Sequence, residues 1–182
     1  MKLRRILASA LACTALLAGC SDAPHPTLAP DAAPAEVLGG TIDLNGVLQF
    51  VGAPSLTQPR TASKRIAAAE GGFVELHGFR VDIPAGALPA DTLVTIRLPS
   101  DNVLAKRVLA EFEPHGIQFN QPVTITFPLS GVLLSGAAIE VGRWENGAWT
   151  SLGGSVNPAG TALSSTTPHF STYSGKYVLA GG

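Results

Sequence analysis

Gln121-Pro122-Val123-Thr124-Ile125-Thr126-Phe127 is the stretch on which the fold turns. Val123, Ile125 and Phe127 alternate with Thr124 and Thr126, the period-two pattern of a strand that shows one face to a core. The pattern repeats outward in both directions. Upstream, Val108, Ala110 and Phe112 alternate with Leu109, Glu111 and Glu113, and Val94, Ile96 and Leu98 share a face. Phe79, Val81 and Ile83 alternate before them, as do Val74 and Leu76 between Phe73 and His77. Residues 65–69 form a short apolar run stopped by Gly71-Gly72. Downstream, Ile139 and Val141 continue the pattern, and Leu152, Leu163 and the run Tyr177 to Leu179 complete it. No segment joins helical periodicity to helix caps. Many short strands separated by Gly and Pro turns predict an all-β chain, an antiparallel β-sandwich or barrel.

Three phrases within this pattern occur in a fixed order. Gly71-Gly72 leads into a strand and then to Val81-Asp82-Ile83-Pro84-Ala85-Gly86-Ala87-Leu88. Phe112-Glu113-Pro114-His115-Gly116-Ile117-Gln118-Phe119 runs into Gln121-Pro122-Val123. His169-Phe170-Ser171 stands near the end. Their roles read as structural. Pro84 stops a strand because it cannot donate to the ladder. Ala85-Gly86-Ala87 allows a tight turn and close packing, and Pro114-His115-Gly116 makes a turn in which His115 is a turn residue. Over residues 65–180 this order resembles the ZU-five domain of ankyrins, netrin receptors and zonula occludens. The resemblance implies a single antiparallel β-sandwich without cofactor or substrate pocket, serving as an interaction platform.

The same resemblance implies a chemistry for His169-Phe170-Ser171, because some ZU-five relatives cut themselves between Phe and Ser. The Ser171 hydroxyl would attack the Phe170 carbonyl while His169 takes its proton, and water would then hydrolyse the ester. The plainer reading is that His169-Phe170 starts the final strand, with Phe170 in the core and Ser171 on a turn. A cut there would release only residues 171–182, so the expectation is a non-enzymatic domain.

Arg143-Trp144-Glu145-Asn146-Gly147-Ala148-Trp149 reads as a hairpin with a type I′ Asn-Gly turn. A two-residue loop sets Glu145 opposite Ala148 and Trp144 opposite Trp149. That register puts both indoles on one face, opposite to Ile139, Val141 and Leu152, and so outward. An outward Trp144–Trp149 pair is a candidate surface for a sugar ring or a protein partner. It also serves simply to stabilise the hairpin.

The N-terminus carries a separate message. Lys2, Arg4 and Arg5 precede an apolar run from Ile6 to Leu17, and Leu17-Ala18-Gly19-Cys20 ends it. This is the layout of a secretory signal peptide, too short to span a bilayer, which takes about 20 apolar residues. Its last four residues resemble the lipobox of bacterial lipoproteins. The resemblance implies cleavage before Cys20, a diacylglycerol thioether on Cys20 and acylation of the new amino group. Several chains at about 0.8 kcal/mol per buried methylene make a durable membrane anchor. By the same resemblance to lipoproteins, Ser21 in place of Asp implies the outer membrane of the cell envelope rather than the inner. The expected organisation is a signal peptide over 1–19 and lipidated Cys20 with a Pro- and Ala-rich tether over 20–63. The tether would include a small hairpin about Asn45-Gly46 within 41–52, and the β-domain would follow over 64–182.

Composition narrows the classes further. The net charge is −1 and no basic patch occurs, so nucleic acid is not an expected partner. Of two cysteines, Cys13 falls in the signal peptide and Cys20 is the lipid site, which leaves no disulfide, thiol nucleophile or cysteine metal ligand in the mature chain. No nucleophile elbow, P-loop or His-x-x-x-His spacing is present, and neither a metal nor a cofactor is expected apart from the covalent lipid. Glu111 and Glu113, two apart on a strand, read as a solvated face. The expected partners are membrane lipid through Cys20 and an envelope protein or glycan.

Overall fold

Among the described residues eleven strands are joined by turns, and the longer ones follow segments of period-two sequence. In the computed structural model residues 42–52, 60–101 and 103–178 are described. Cys20, the expected signal peptide, most of the expected tether and Leu179 lie outside them. The strands are β1 (Thr61–Ile66), β2 (Gly72–Leu76), β3 (Phe79–Ile83), β4 (Thr92–Arg97), β5 (Leu109–Glu113) and β6 (Gln118–Pro128). They continue with β7 (Ile139–Glu145), β8 (Ala148–Ser151), β9 (Ser155–Val156), β10 (Ala162–His169) and β11 (Thr172–Tyr177). One 3-10 turn, Leu104–Lys106, precedes β5.

The strands form two antiparallel sheets, ordered β1-β4-β5-β11-β7-β8 and β2-β3-β6-β10-β9, packed face to face as an all-β sandwich. The alternating residues meet between them. Val123, Ile125 and Phe127 are fully buried, as are Val81, Val94, Ile96 and Phe112. Phe112 is the aromatic hub. Its ring lies 6.2 Å from Phe127, 6.1 Å from Phe170 and 5.8 Å from Tyr173, edge-on to the first and last and nearly parallel to Phe170.

The three sequence phrases meet at one end of the sandwich. Gly71 takes φ +69° and sits so close to the β3–β4 connection that a Cβ there would come within 2.3 Å of the Ile83 carbonyl oxygen. The Gly86 amide donates to Ala68 O at 2.7 Å. From β6, Asn120 Nδ2 donates to Gly86 O and Gln121 Nε2 to Ala85 O, at 3.0 and 2.8 Å. The Ala-Gly turn is thus held by Ala68 on one side and by Asn120 and Gln121 on the other, and small side chains let the backbones approach.

Three sequence expectations need correction. Asn45-Gly46 does turn, with Gly46 at φ +72°, but among the described residues 42–52 no hairpin closes and the bridges run to distant residues. The segment joins the six-stranded sheet instead: Leu48 N donates to Gly175 O and Val108 N to Leu48 O, both at 2.9 Å, and Val47 bridges Lys176. Because β5 starts only at Leu109, the second half of β11 lacks a neighbour on that side. Its buried backbone groups need partners, and residues 46–48 provide them. The domain therefore reaches upstream of Lys64, with Leu48 in its core and β1 opening at Thr61. The second correction concerns His169, which closes β10 rather than starting the last strand, while Thr172 opens β11. The third concerns Glu111, which is only 4% exposed, so this position does not face solvent.

Candidate functional site

His169, Phe170 and Ser171 make the corner by which the chain leaves the five-stranded sheet and enters the six-stranded one. A register shift between Thr167 and His169 precedes the last β10–β6 pair, His169 with Gln118, and there the chain turns. Phe170 drives the crossing, since it is 1% exposed and packs on both Phe112 and Phe119. Hydrogen bonds then lock the corner. Thr167 Oγ1 donates to His169 O at 2.9 Å, Tyr173 Oη donates to the same oxygen, and the two hydroxyls lie 2.8 Å apart. Burial pushes the Tyr173 phenol up to about 12, so it stays protonated and a donor. Phe112 N donates to Ser171 O at 3.0 Å.

The sequence brings the three residues together, but their hydrogen bonds differ from the expected relay. The Ser171 hydroxyl donates to Trp144 O on β7 at 3.1 Å, away from His169. His169 Nδ1 lies 3.1 Å from Phe170 O. This contact is favourable in the tautomer that carries the proton on Nδ1, and the Ser171 hydroxyl is turned to Trp144 O rather than to this nitrogen. The corner is built as a structural crossing. The strand that follows it, β11, lies between β5 and β7 in the middle of its sheet.

The tryptophan hairpin takes the expected register. Trp144 pairs with Trp149 and Glu145 with Ala148, around Asn146 at φ +53° and Gly147 at φ +79°. The indoles point away from the core side of the sheet, on which Val141 and Tyr173 lie. Their centroids are 5.1 Å apart at 63°, an edge-to-face pair. Both are half-buried, and Trp149 Nε1 donates to Asp43 O in the upstream segment. Trp149 thus holds the backbone of Asp43, and the two rings meet edge to face rather than side by side as a flat platform.

A group that the sequence reading passed over lies on the same outer face. Cross-strand pairing runs Arg97, Glu111, Thr172, Trp144 and Trp149 in one row across β4, β5, β11, β7 and β8. Glu111 Oε1 is 3.1 Å from His115 Nε2, and Arg97 Nε is 3.4 Å from Glu113 and 3.9 Å from Glu111. Glu111 Oε2 is buried without a hydrogen-bond partner. Burial, reinforced by the neighbouring Glu113 charge and opposed by Arg97, pushes the Glu111 carboxyl up to about 7. Burial also lowers the His115 pKa, opposed by the Glu113 charge and aided by His169. The signal in the sequence was Leu109 beside Glu111: the supposed solvent face already carried an apolar residue.

This carboxyl makes stability depend on pH with a definite sign. The folded state holds the Glu111 proton up to about 7, whereas the unfolded chain releases it near 4.5. The contribution is therefore fully favourable below pH 4.5, declines as pH rises and reaches its lowest level above about 7. Glu111→Gln should remove that decline, making the variant roughly 2 kcal/mol more stable than wild type at pH 8 and nearly equal to it at pH 4.5. Urea unfolding at the two pH values checks this, and an equal difference at both would show that Glu111 does not titrate in this way.

Among the described residues no group of three His, Cys, Asp or Glu side chains is placed to hold a metal ion. No helix among them is long and apolar enough to cross a membrane. No model of a known protein family matches the chain, and no curated protein matches it.

Proposed function

We propose that the chain is a lipoprotein of the bacterial cell envelope, anchored through acylated Cys20, more readily in the outer membrane than the inner. Its ZU-five-like β-sandwich does non-enzymatic work there, binding an envelope protein or a glycan or bracing the envelope. The observation that carries the reading is Leu17-Ala18-Gly19-Cys20, closing a basic-then-apolar leader ahead of an all-β domain. The corner geometry supports the non-enzymatic half. The hydroxyl of Ser171 is engaged by Trp144 O and the Nδ1 of His169 by Phe170 O, so each holds backbone in place.

The intact mass of the protein purified from membranes tests both halves. A chain that starts at Cys20, carries diacylglycerol and a further acyl group, and is uncut between Phe170 and Ser171 is the expected result. Cys20→Ala should abolish the lipid mass. A protein without added lipid overturns the anchor. A chain cut at Phe170–Ser171 overturns the non-enzymatic reading and leaves the anchor standing.

A further inference from the structure

The end of the sandwich opposite the His169–Ser171 corner exposes apolar side chains where a lone domain in water would expose polar ones. Val51 is 74% exposed, Leu133 65% and Leu134 45%. Val51 and Leu133 are neighbours across a short backbone pairing, and Leu134 follows Leu133 in the same loop. Val51 N donates to Gly131 O at 2.7 Å and Leu133 N to Gln49 O at 2.9 Å, on either side of a bridge between Phe50 and Val132. Phe50 and Val132 pack towards the core, so alternation turns Val51 and Leu133 outward together.

The loop that carries the leucines, residues 129–138, contains no charged side chain. It is nonetheless held in shape. Tyr177 Oη donates to Leu133 O at 2.7 Å and accepts from Ser135 N at 3.1 Å. A basic residue adjoins the segment: Phe50 N donates to Lys106 O at 2.9 Å, which sets the exposed residue Lys106 beside Phe50 and Val51 in the backbone. Asp101, at the start of the neighbouring turn, has its carboxylate engaged by the amides of Val103 and Leu104.

We infer that this end of the sandwich rests on a lipid surface, with Val51, Leu133 and Leu134 in the interface and Lys106 among anionic headgroups. The inference builds on the anchor proposed above. An apolar tip with a basic rim is the chemistry of a peripheral membrane contact, in which buried apolar area and attraction to anionic lipid add. The tether permits the contact. Cys20 precedes Ile42 by 22 positions, and an extended Pro-rich chain covers about 3.1 Å per residue, so the domain can settle with this end down. A lipid chain alone would fix only distance, whereas the patch would also fix orientation, keeping the opposite end and its corner turned away from the bilayer.

The test uses the full lipid-anchored protein in vesicles of phosphatidylethanolamine and phosphatidylglycerol. Leu133→Cys and, separately, Val51→Cys take a polarity-sensitive dye, and Ala148→Cys, at the far end, serves as the reference. The expected result is a blue shift and quenching by acyl-chain-brominated lipid at positions 133 and 51, with neither at 148. Water-like emission at all three positions in vesicle-bound protein overturns the inference and leaves the anchor intact. A blue shift at 133 without quenching by brominated lipid points to a second copy of the chain on the patch and overturns it as well. Wild-type protein that itself takes up the dye reveals a free Cys20 thiol, which overturns the anchor and this inference with it.

Discussion

Phe112→Ala should lower the stability of the domain by about 3–5 kcal/mol, the range for emptying a fully buried aromatic position. The reason is its place as the hub of the core. The side chain is inaccessible and lies against Phe127 of the facing sheet, Phe170 of the corner and Tyr173 of the adjacent strand. Alanine removes the transfer free energy of the ring and its edge-on and stacked contacts at once. Little can collapse into the space. Phe170 is pinned by its own contact with Phe119, and Tyr173 by its hydroxyl bonds to Thr167 and His169. Urea unfolding followed by far-UV circular dichroism measures the loss. Phe112→Leu, which keeps most of the volume, should lose less than half as much. Equal losses for the two would mean that ring geometry rather than cavity volume sets the effect, and a loss under about 1 kcal/mol would remove Phe112 from the hub role.

Gly71→Ala should be the next most damaging single change, at about 3 kcal/mol, although it adds only a methyl group. Two effects combine. The backbone stands at φ +69°, where any L side chain costs about 1–2 kcal/mol. The new Cβ would also meet Ile83 O at 2.3 Å and Ala85 N at 2.6 Å, both backbone atoms that cannot rotate aside. Relief requires the β3–β4 connection to move, and Gly86 N to Ala68 O and Gln121 Nε2 to Ala85 O hold that connection. Gly86→Ala separates the two effects. It has a similar φ of +78° but nothing within 4 Å of the added Cβ, so it should lose only the conformational part, about 1 kcal/mol. Thermal or urea unfolding of both variants checks the difference. Similar losses would show that the close approach at Gly71 contributes nothing.

Much of this architecture was legible in the chain because strands with one buried face write themselves as alternation. Val123-Thr124-Ile125-Thr126-Phe127 and Phe79-Arg80-Val81-Asp82-Ile83 are read directly, and so is the Trp144–Trp149 register, which a two-residue Asn-Gly loop imposes. The sequence reading missed positions whose role depends on distant partners. Val47 and Leu48 looked like half of a local hairpin, yet their partners are Lys176, Gly175 and Val108. Glu111 looked solvated because its strand alternates. β5 sits inside its sheet, however, and burial on both faces hides the carboxylate and raises its pKa. His169, Phe170 and Ser171 are adjacent in sequence, but adjacency says nothing about which acceptor a hydroxyl finds. That acceptor, Trp144 O, belongs to a different strand.

The sequence by itself determined the fold class, the positions of most strands, the core face of each and the hairpin turn. These follow from spacing along one segment, which local sterics and hydrophobic alternation govern. Only the tertiary structure decided that β11 runs between β5 and β7, that residues 46–48 complete the sheet beside it, and that Ser171 bonds to Trp144. It alone also gathered Val51, Leu133 and Leu134 at one end. Each of these depends on unsatisfied backbone groups and apolar surfaces far apart in the chain finding one another. No local period encodes such pairing, because a hydrogen-bond donor fits any acceptor that the packing brings within reach.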